Sequence, residues 1–277
     1  MARVSLQLFW TGSCRHPERS TRRDGAWRAC DYPMYAAVIE RAGELIAFDP
    51  GYAPRFFEAT EPFPDRFYRW TTPAVCPAHA SLAAQLGARA EAVTKIVLSH
   101  FHADHMAGLM DFPHAEVWCA REAWAAFDAR RGFGAVSSGY LKRLAPRDLA
   151  ARVRFIEDLP LRAAPGEAAP FAEAFDLYGD GSILLMPLPG HAIGQTGALL
   201  NTEDARGRFL IADATWSLAS LRADAPPPWP VMRFLGKPKP YLETWRALRA
   251  LAARNPDLPL IPCHCSEAAA REGVAPV

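Results

Sequence analysis

The densest chemistry in this 277-residue chain lies between Ser99 and His105, which read Ser-His-Phe-His-Ala-Asp-His. His100, His102, Asp104 and His105 bring three imidazoles and one carboxylate into a single short run. A lone histidine beside a strand is usually hydrogen-bonded and structural. Four ligand-type groups packed this closely repel one another or stay unsatisfied unless a cation neutralises them. Imidazole nitrogen and carboxylate oxygen are good donors to zinc and related metals, so the run predicts a metal site.

Three later segments offer the same donors. Leu185-Met186-Pro187-Leu188-Pro189-Gly190 leads to His191, Phe209-Leu210-Ile211-Ala212 to Asp213, and Leu258-Pro259-Leu260-Ile261-Pro262-Cys263 to His264. The first run follows the same plan, because Ala92 to Leu98 is β-branched and apolar and reads as a buried strand. Each donor therefore terminates a strand, and rigid strand ends position ligands better than mobile loops do. Cys263 and Cys265 flank His264. On an extended segment the period of two turns both thiols away from the face that His264 presents, so they are expected not to ligate.

The elements that must hold these groups can be read from hydropathy. Residues 4–10 alternate as an opening strand, and 34–39 and 44–49 read as a hairpin across Arg41-Ala42-Gly43. A helix is expected over 79–90 before the strand at 94–98, then a strand at 115–119 and a helix over 120–129. Further strands are expected near 152–156, 172–177, 182–187, 195–201 and 207–212. Pro240 to Arg254 carries Leu242, Trp245, Leu248 and Leu251 at helical spacing. Strands, helices and strands again fit two facing sheets with helices outside.

Three segments resist regular structure. Residues 11–32 hold five arginines and few apolar residues, and read as a solvated loop; 130–146, with three glycines, reads as mobile. Residues 219–240 combine Pro226 to Pro228 with Trp229 and Phe234, which could form an apolar wall over the metals.

The set His100-x-His102-x-Asp104-His105, then His191, Asp213 and His264, resembles the metallo-β-lactamase superfamily in residue type and order, and Ile46-Ala47-Phe48-Asp49-Pro50-Gly51 is similar to its early Asp-Thr-Gly segment. The resemblance implies an α+β fold, a four-layer αβ/βα sandwich. It further implies two divalent cations, with zinc favoured and iron or manganese possible. His100, His102 and His191 would hold one, Asp104, His105 and His264 the other, and Asp213 would bridge them. Asp49 would orient a ligand histidine. In such sites a water shared by the two metals loses its proton near neutral pH, its pKa falling from ~16 to ~7, and the hydroxide attacks a carbonyl or phosphorus centre. Asp104 would relay a proton to the leaving group.

Departures narrow the choice. β-Lactamases of this kind commonly use cysteine where this chain has Asp213, flavo-diiron relatives use a carboxylate where it has His102, and glyoxalase II enzymes continue into a glutathione-binding domain. The pattern Pro189-Gly190-His191-Ala192-Ile193-Gly194-Gln195-Thr196-Gly197 is most similar to the N-acyl homoserine lactone hydrolases. Those enzymes place a tyrosine three residues after the bridging aspartate, where this chain has Trp216, the expected substrate contact. The expected activity is opening of a small-molecule lactone or related ester. A thioester or phosphodiester hydrolase is the alternative, and a non-enzymatic binding module is disfavoured by the full ligand set.

Composition agrees. The ligands span residues 100 to 264, so cutting the chain between them would split the site, and 1–277 is read as one domain. A net charge of +1 supplies no field to attract nucleic acid or an anionic membrane. No uncharged run approaches the ~20 residues that span a bilayer, and no basic segment precedes an apolar leader, so a cytoplasmic enzyme is expected. The six cysteines are scattered, and reduced thiols are the default.

Overall fold

The computed structural model describes residues 2–204 and 206–274. Strands β1 (Ser5–Pro17), β2 (Ala29–Arg41), β3 (Glu44–Phe48), β4 (Ala74–Val75), β5 (Val93–Val97), β6 (Glu116–Cys119) and β7 (Val153–Phe155) form one sheet, in the order β4-β1-β2-β3-β5-β6-β7. Strands β8 (Leu161–Ala163), β9 (Glu173–Asp176), β10 (Ile183–Pro187), β11 (Thr196–Leu200), β12 (Arg208–Ala212) and β13 (Leu260–Pro262) form the second, in reverse order from β13 to β8. Both sheets are mixed. β3, β5, β6 and β7 run parallel, as do β12 and β13, and the other pairings are antiparallel. The result is the α+β sandwich that the alternation of elements predicts.

One apolar core joins the two sheets. β3 and β5 contribute Leu45, Ile46, Ala47, Ile96 and Val97, all at most 2% exposed, which explains their unbroken apolar runs. The helix Pro238–Arg254 buries Tyr241, Trp245, Leu248 and Leu251 along one stripe and leaves its charges outside. At the far end of the molecule two polar contacts tie the sheets together. Arg41 pairs with Asp180 at 2.5 Å, and the Tyr178 hydroxyl donates to Glu44 at 2.6 Å. No helix among the described residues is long and apolar enough to cross a membrane.

The structure corrects several local expectations. Residues 11–32 are largely not a loop. β1 continues to Pro17 and β2 begins at Ala29, in a register that sets Cys14 opposite Tyr32 and His16 opposite Cys30. Arg15 and Asp31 face each other across the ladder at 3.5 Å on its solvent side, while Cys14 points inward. The helix expected over 79–90 is reduced to Leu82–Leu86, because Gly87 turns out of helical space at φ +55°. Residues 130–146 are packed rather than loose. They form the short helix Gly132–Val136 and bury Val136, Tyr140, Leu141 and Leu144. The proline-rich 219–240 segment holds the helix Trp229–Leu235.

Candidate metal centre

The parallel strand pairs decide where the chemistry collects. β3 and β5 lie side by side in one direction, so Asp49 and Ser99 emerge together from their carboxyl ends. β12 and β13 repeat the arrangement in the second sheet and deliver Asp213 beside His264. Asp49, just past β3, and Ala212, the last residue of β12, take left-handed backbone conformations at φ +54° and +45°, turning the chain sharply at each strand end. His102 then precedes the short helix Ala103–Met106, whose first turn carries Asp104 and His105. His191 comes from the Pro-Gly turn that follows β10.

The structure brings all seven expected ligand residues to one place, each no more than 7% exposed. His191 Nε2 lies 3.1 Å from His102 Nδ1, and the rings of His100 and His102 are 4.4 Å apart. On the other side His105 Nε2 lies 3.2 Å from Asp213 Oδ1 and 3.7 Å from Asp104 Oδ2. His264 Nε2 lies 3.3 Å from Asp104 and 3.4 Å from Asp213. Asp213 sits between the two groups, since its Oδ2 is also 3.1 Å from His191 Nε2.

The back of each ring is fixed. Asp49 is fully buried and accepts the Ser99 backbone N–H and hydroxyl at 2.7 Å each, and its Oδ2 lies 2.8 Å from His105 Nδ1. Ser99 Oγ lies 3.0 Å from His100 Nδ1, and His264 Nδ1 donates to the Pro33 carbonyl at 2.7 Å. These contacts commit the Nδ1 protons of His100, His105 and His264 outward and turn their Nε2 atoms inward.

Charge follows the two-part layout. Burial, with His191 beside it, drops His102 to about 3, and burial also lowers His100 and His191. That triad is neutral at pH 7, the form a metal needs. Burial works against charge on His105 and His264 as well, but the nearby carboxylates outweigh it and raise both. Burial would raise Asp104 and Asp213, yet the imidazoles pull both down, Asp104 to about 2. His100 Nε2 and His264 Nε2 are buried with no hydrogen-bond partner, one in each half of the cluster. An orphaned buried nitrogen is costly, and a cation between these donors removes the cost in both places. The residues fit a metal.

Cys263 departs from the period-of-two expectation. β13 stops at Pro262, so Cys263 and His264 lie in a turn and their side chains do not alternate. Cys263 Sγ sits 2.7 Å from Asp213 Oδ1, inside the cluster, whereas Cys265 accepts from the Leu218 backbone N–H. Trp216 lies beside the cluster, with its ring 4.4 Å from that of His264.

A pocket of about 570 Å³ opens over His102, Asp104, His191 and Asp213. Phe67, Phe133, Trp216, Val231 and Phe234 wall it, and no arginine or lysine lines it among the described residues. His16, at its edge, is kept neutral by burial. Sequence reasoning missed Cys14, His16, Phe67 and Phe133, which approach from segments far apart in the chain. A larger cleft of about 750 Å³ lies among Arg208, Arg222 and Arg249, but these already pair with Glu272, Glu267 and Asp224.

Comparison with known proteins agrees with this geometry. A Mycobacterium tuberculosis protein named a probable metallo-hydrolase is 32% identical over 127 residues, which is 46% of this chain and only 38% of that relative's length. An N-acyl homoserine lactone hydrolase solved with N-hexanoyl-L-homoserine at its catalytic metal centre superposes at a TM-score of 0.73, with 16% identity over 99% of this chain and 97% of that one. A dizinc quorum-quenching lactonase superposes at 0.64, with 15% identity over 96% of this chain and 89% of its own. The sequence profile of the metallo-beta-lactamase superfamily matches residues 33–264, most of the chain, and the protein belongs to that superfamily of hydrolases.

Proposed function

We propose that this chain is a binuclear metal-dependent hydrolase that opens an uncharged lactone or related ester bearing an apolar acyl group. One observation carries the reading. Two groups of buried donors, joined by Asp213, form the floor of an apolar pocket that contains no fixed cation among the described residues. His100, His102 and His191 would hold one divalent ion, and His105, His264 and Asp104 the other, with Asp213 shared. Zinc suits this donor set, and iron or manganese fit the same ligands. Such ions supply a water nucleophile at neutral pH and Lewis acidity at the scissile carbonyl. The reading treats residues 1–277 as one domain, because both sheets contribute to the one pocket.

The chain's own groups supply the rest. Phe67, Phe133, Val231 and Phe234 exclude water and receive an acyl chain. Asp104 is held as a carboxylate and lines the pocket 3.3 Å from His264, placed to take a proton and pass it to the leaving oxygen. A phosphodiester's charge could be met by the cations themselves, but no arginine or lysine on the walls would hold its remaining oxygens, so it is the less favoured substrate. A thioester fits the walls equally well and differs only in its leaving atom. Steady-state rates of the metal-loaded protein on acyl lactones, thioesters and phosphodiesters decide the matter. Fastest turnover of a lactone or ester supports the reading, and a preference for phosphodiesters would overturn it.

A further inference from the structure

The net charge of +1 conceals an uneven distribution. Four segments, 15–31, 61–72, 128–143 and 226–241, each contribute residues to the pocket lining and so surround its mouth. Together they hold fourteen arginines and lysines against six aspartates and glutamates, while the rest of the chain holds seventeen against twenty-four. The mouth face is therefore basic and the remainder acidic. Arg28, Arg233, Lys237 and Lys239 stand exposed on it, and none belongs to an ion pair among the described residues. The segments also touch one another. Phe67 and Phe133 have ring centres 5.4 Å apart, Arg143 lies 3.5 Å from Asp65, and the Arg23 backbone N–H donates to the Pro226 carbonyl at 2.8 Å.

The same four segments carry seven of the ten large apolar side chains that stand exposed among the described residues, and all seven are aromatic. Phe67, Phe133 and Phe234 line the pocket and are still 41%, 58% and 70% exposed, so they form its rim. Trp27, Phe63, Trp70 and Trp229 are exposed on the same segments without entering the pocket. Basic and aromatic groups interleave, with the Arg19 guanidinium 5.7 Å from the centre of the Trp27 ring and that of Arg66 5.9 Å from Phe63. Apolar residues scattered singly over a surface need no explanation, but a cluster around one opening marks a contact surface.

We propose that this face docks on an anionic lipid bilayer, with its aromatic side chains at the level of the headgroups and the pocket mouth turned towards the acyl chains. Tryptophan collects at the membrane–water boundary because its ring is apolar and its N–H polar. Lysine and arginine beside it lay their apolar stems on the surface and set their charges among lipid phosphates. A second copy of this chain in a two-fold interface would press two basic faces together, and their like charges oppose it. A substrate with a long acyl chain would then pass from the bilayer into the pocket without crossing water. That consequence rests on the hydrolase reading above, whereas the docking itself does not.

Co-sedimentation of the intact, zinc-loaded chain with vesicles of phosphatidylcholine and phosphatidylglycerol tests the docking. Binding should be at least about 10-fold tighter than to vesicles of phosphatidylcholine alone, and should weaken as salt rises. Trp27→Ser combined with Trp229→Ser removes two exposed rings that do not line the pocket, and Arg233→Glu combined with Lys239→Glu reverses two exposed charges. Each pair should weaken binding about 10-fold or more, and Leu161→Ser, at an exposed apolar position outside the four segments, should not. Turnover of a water-soluble short-chain ester should be the same in all these variants, which separates docking from chemistry. Should a variant fail to fold, quenching of the unaltered protein's tryptophan fluorescence by brominated lipid in anionic vesicles decides. No binding to anionic vesicles at low salt would overturn the proposal, as would equal binding to both kinds of vesicle or binding that survives both pairs of substitutions. A dimer that the tryptophan pair breaks, without any vesicle binding, would overturn it and assign the face to a second copy of the chain.

Discussion

The indole N–H of Trp216 donates to Asp213 Oδ2 at 2.9 Å. A donor expected to meet the substrate is therefore occupied by the carboxylate that lies between the two donor groups. Edge contacts from Tyr32 and His16, at ring separations of 5.2 and 5.7 Å, hold the indole in that orientation. Trp216 then presents only its ring to the pocket, and its polar atom is engaged by Asp213.

Trp216→Phe keeps the ring surface and removes that hydrogen bond, which for a charged acceptor contributes about 1.5–3 kcal/mol. The expected outcome is weaker metal retention, on the order of 10–100-fold in competition with a chelator, as for other groups that orient a ligand. Unchanged retention beside a lowered kcat would instead mean that the indole touches the reacting group directly.

Asp213 and Asp49 are both buried carboxylates, but only Asp213 contacts both halves of the cluster. Asp213→Ala should release metal and reduce kcat/KM to background. Asp49→Ala should cost about 10–100-fold, since it loosens His105 and Ser99 without removing a donor. Elemental analysis alongside kinetics checks both. Normal turnover by a fully metal-loaded Asp213→Ala protein would refute the shared-ligand role.

Gly139 backs directly onto the cluster. A Cβ at this position would lie 2.6 Å from His102 Cδ2, and the backbone stands at φ +76°. Gly139→Val should therefore displace the His102 ring and lower metal content, with a strain cost of about 1–3 kcal/mol visible as a reduced Tm. Gly134→Ala, in the same segment but with open space around it, should leave metal content unchanged. Equal metal content in the two variants would show that His102 does not depend on this contact.

Acid stability should report the Arg41–Asp180 contact between the sheets. Burial would raise the Asp180 carboxyl, but hydrogen bonds from Ser182 and Arg41 bring it down from 3.8 to about 2. A depressed carboxyl stabilises the fold above its unfolded value, and that contribution is lost as pH falls from about 4 towards 2. In thermal melts at a series of pH values, Asp180→Asn should be less stable than the parent near neutrality and show a shallower decline across that window. A parallel shift at every pH would mean that the pair's titration does not contribute.

The clustering of the donors was legible in the sequence because few chemistries need four donors in six positions, and because each later donor follows an apolar run that reads as a strand end. The direction of the Cys263 side chain was misjudged for a local reason. The alternation rule was applied one residue beyond the point where β13 stops, and a turn obeys no such period. The extended β1–β2 ladder was hidden because Arg15 on it faces solvent and the other four arginines of 11–32 crowd the connection between the two strands, so the whole segment had the composition of a loop. The pocket wall was readable only in its 219–240 part, where Phe234 lines the pocket as the aromatic and proline content suggested. Phe67, Phe133 and Phe234 belong to three short helices that the chain brings together only through tertiary packing.

The hydrogen bond from His264 to the Pro33 carbonyl spans almost the whole described chain, and the Tyr35 backbone N–H reaches back to the Cys263 carbonyl at 3.0 Å beside it. One of the last strand ends to be synthesised is thus anchored on one of the first. During translation His100, His102 and His191 can all have left the ribosome while His264 is still inside it. The donor cluster is therefore complete only once the strand end at His264 has docked on β2.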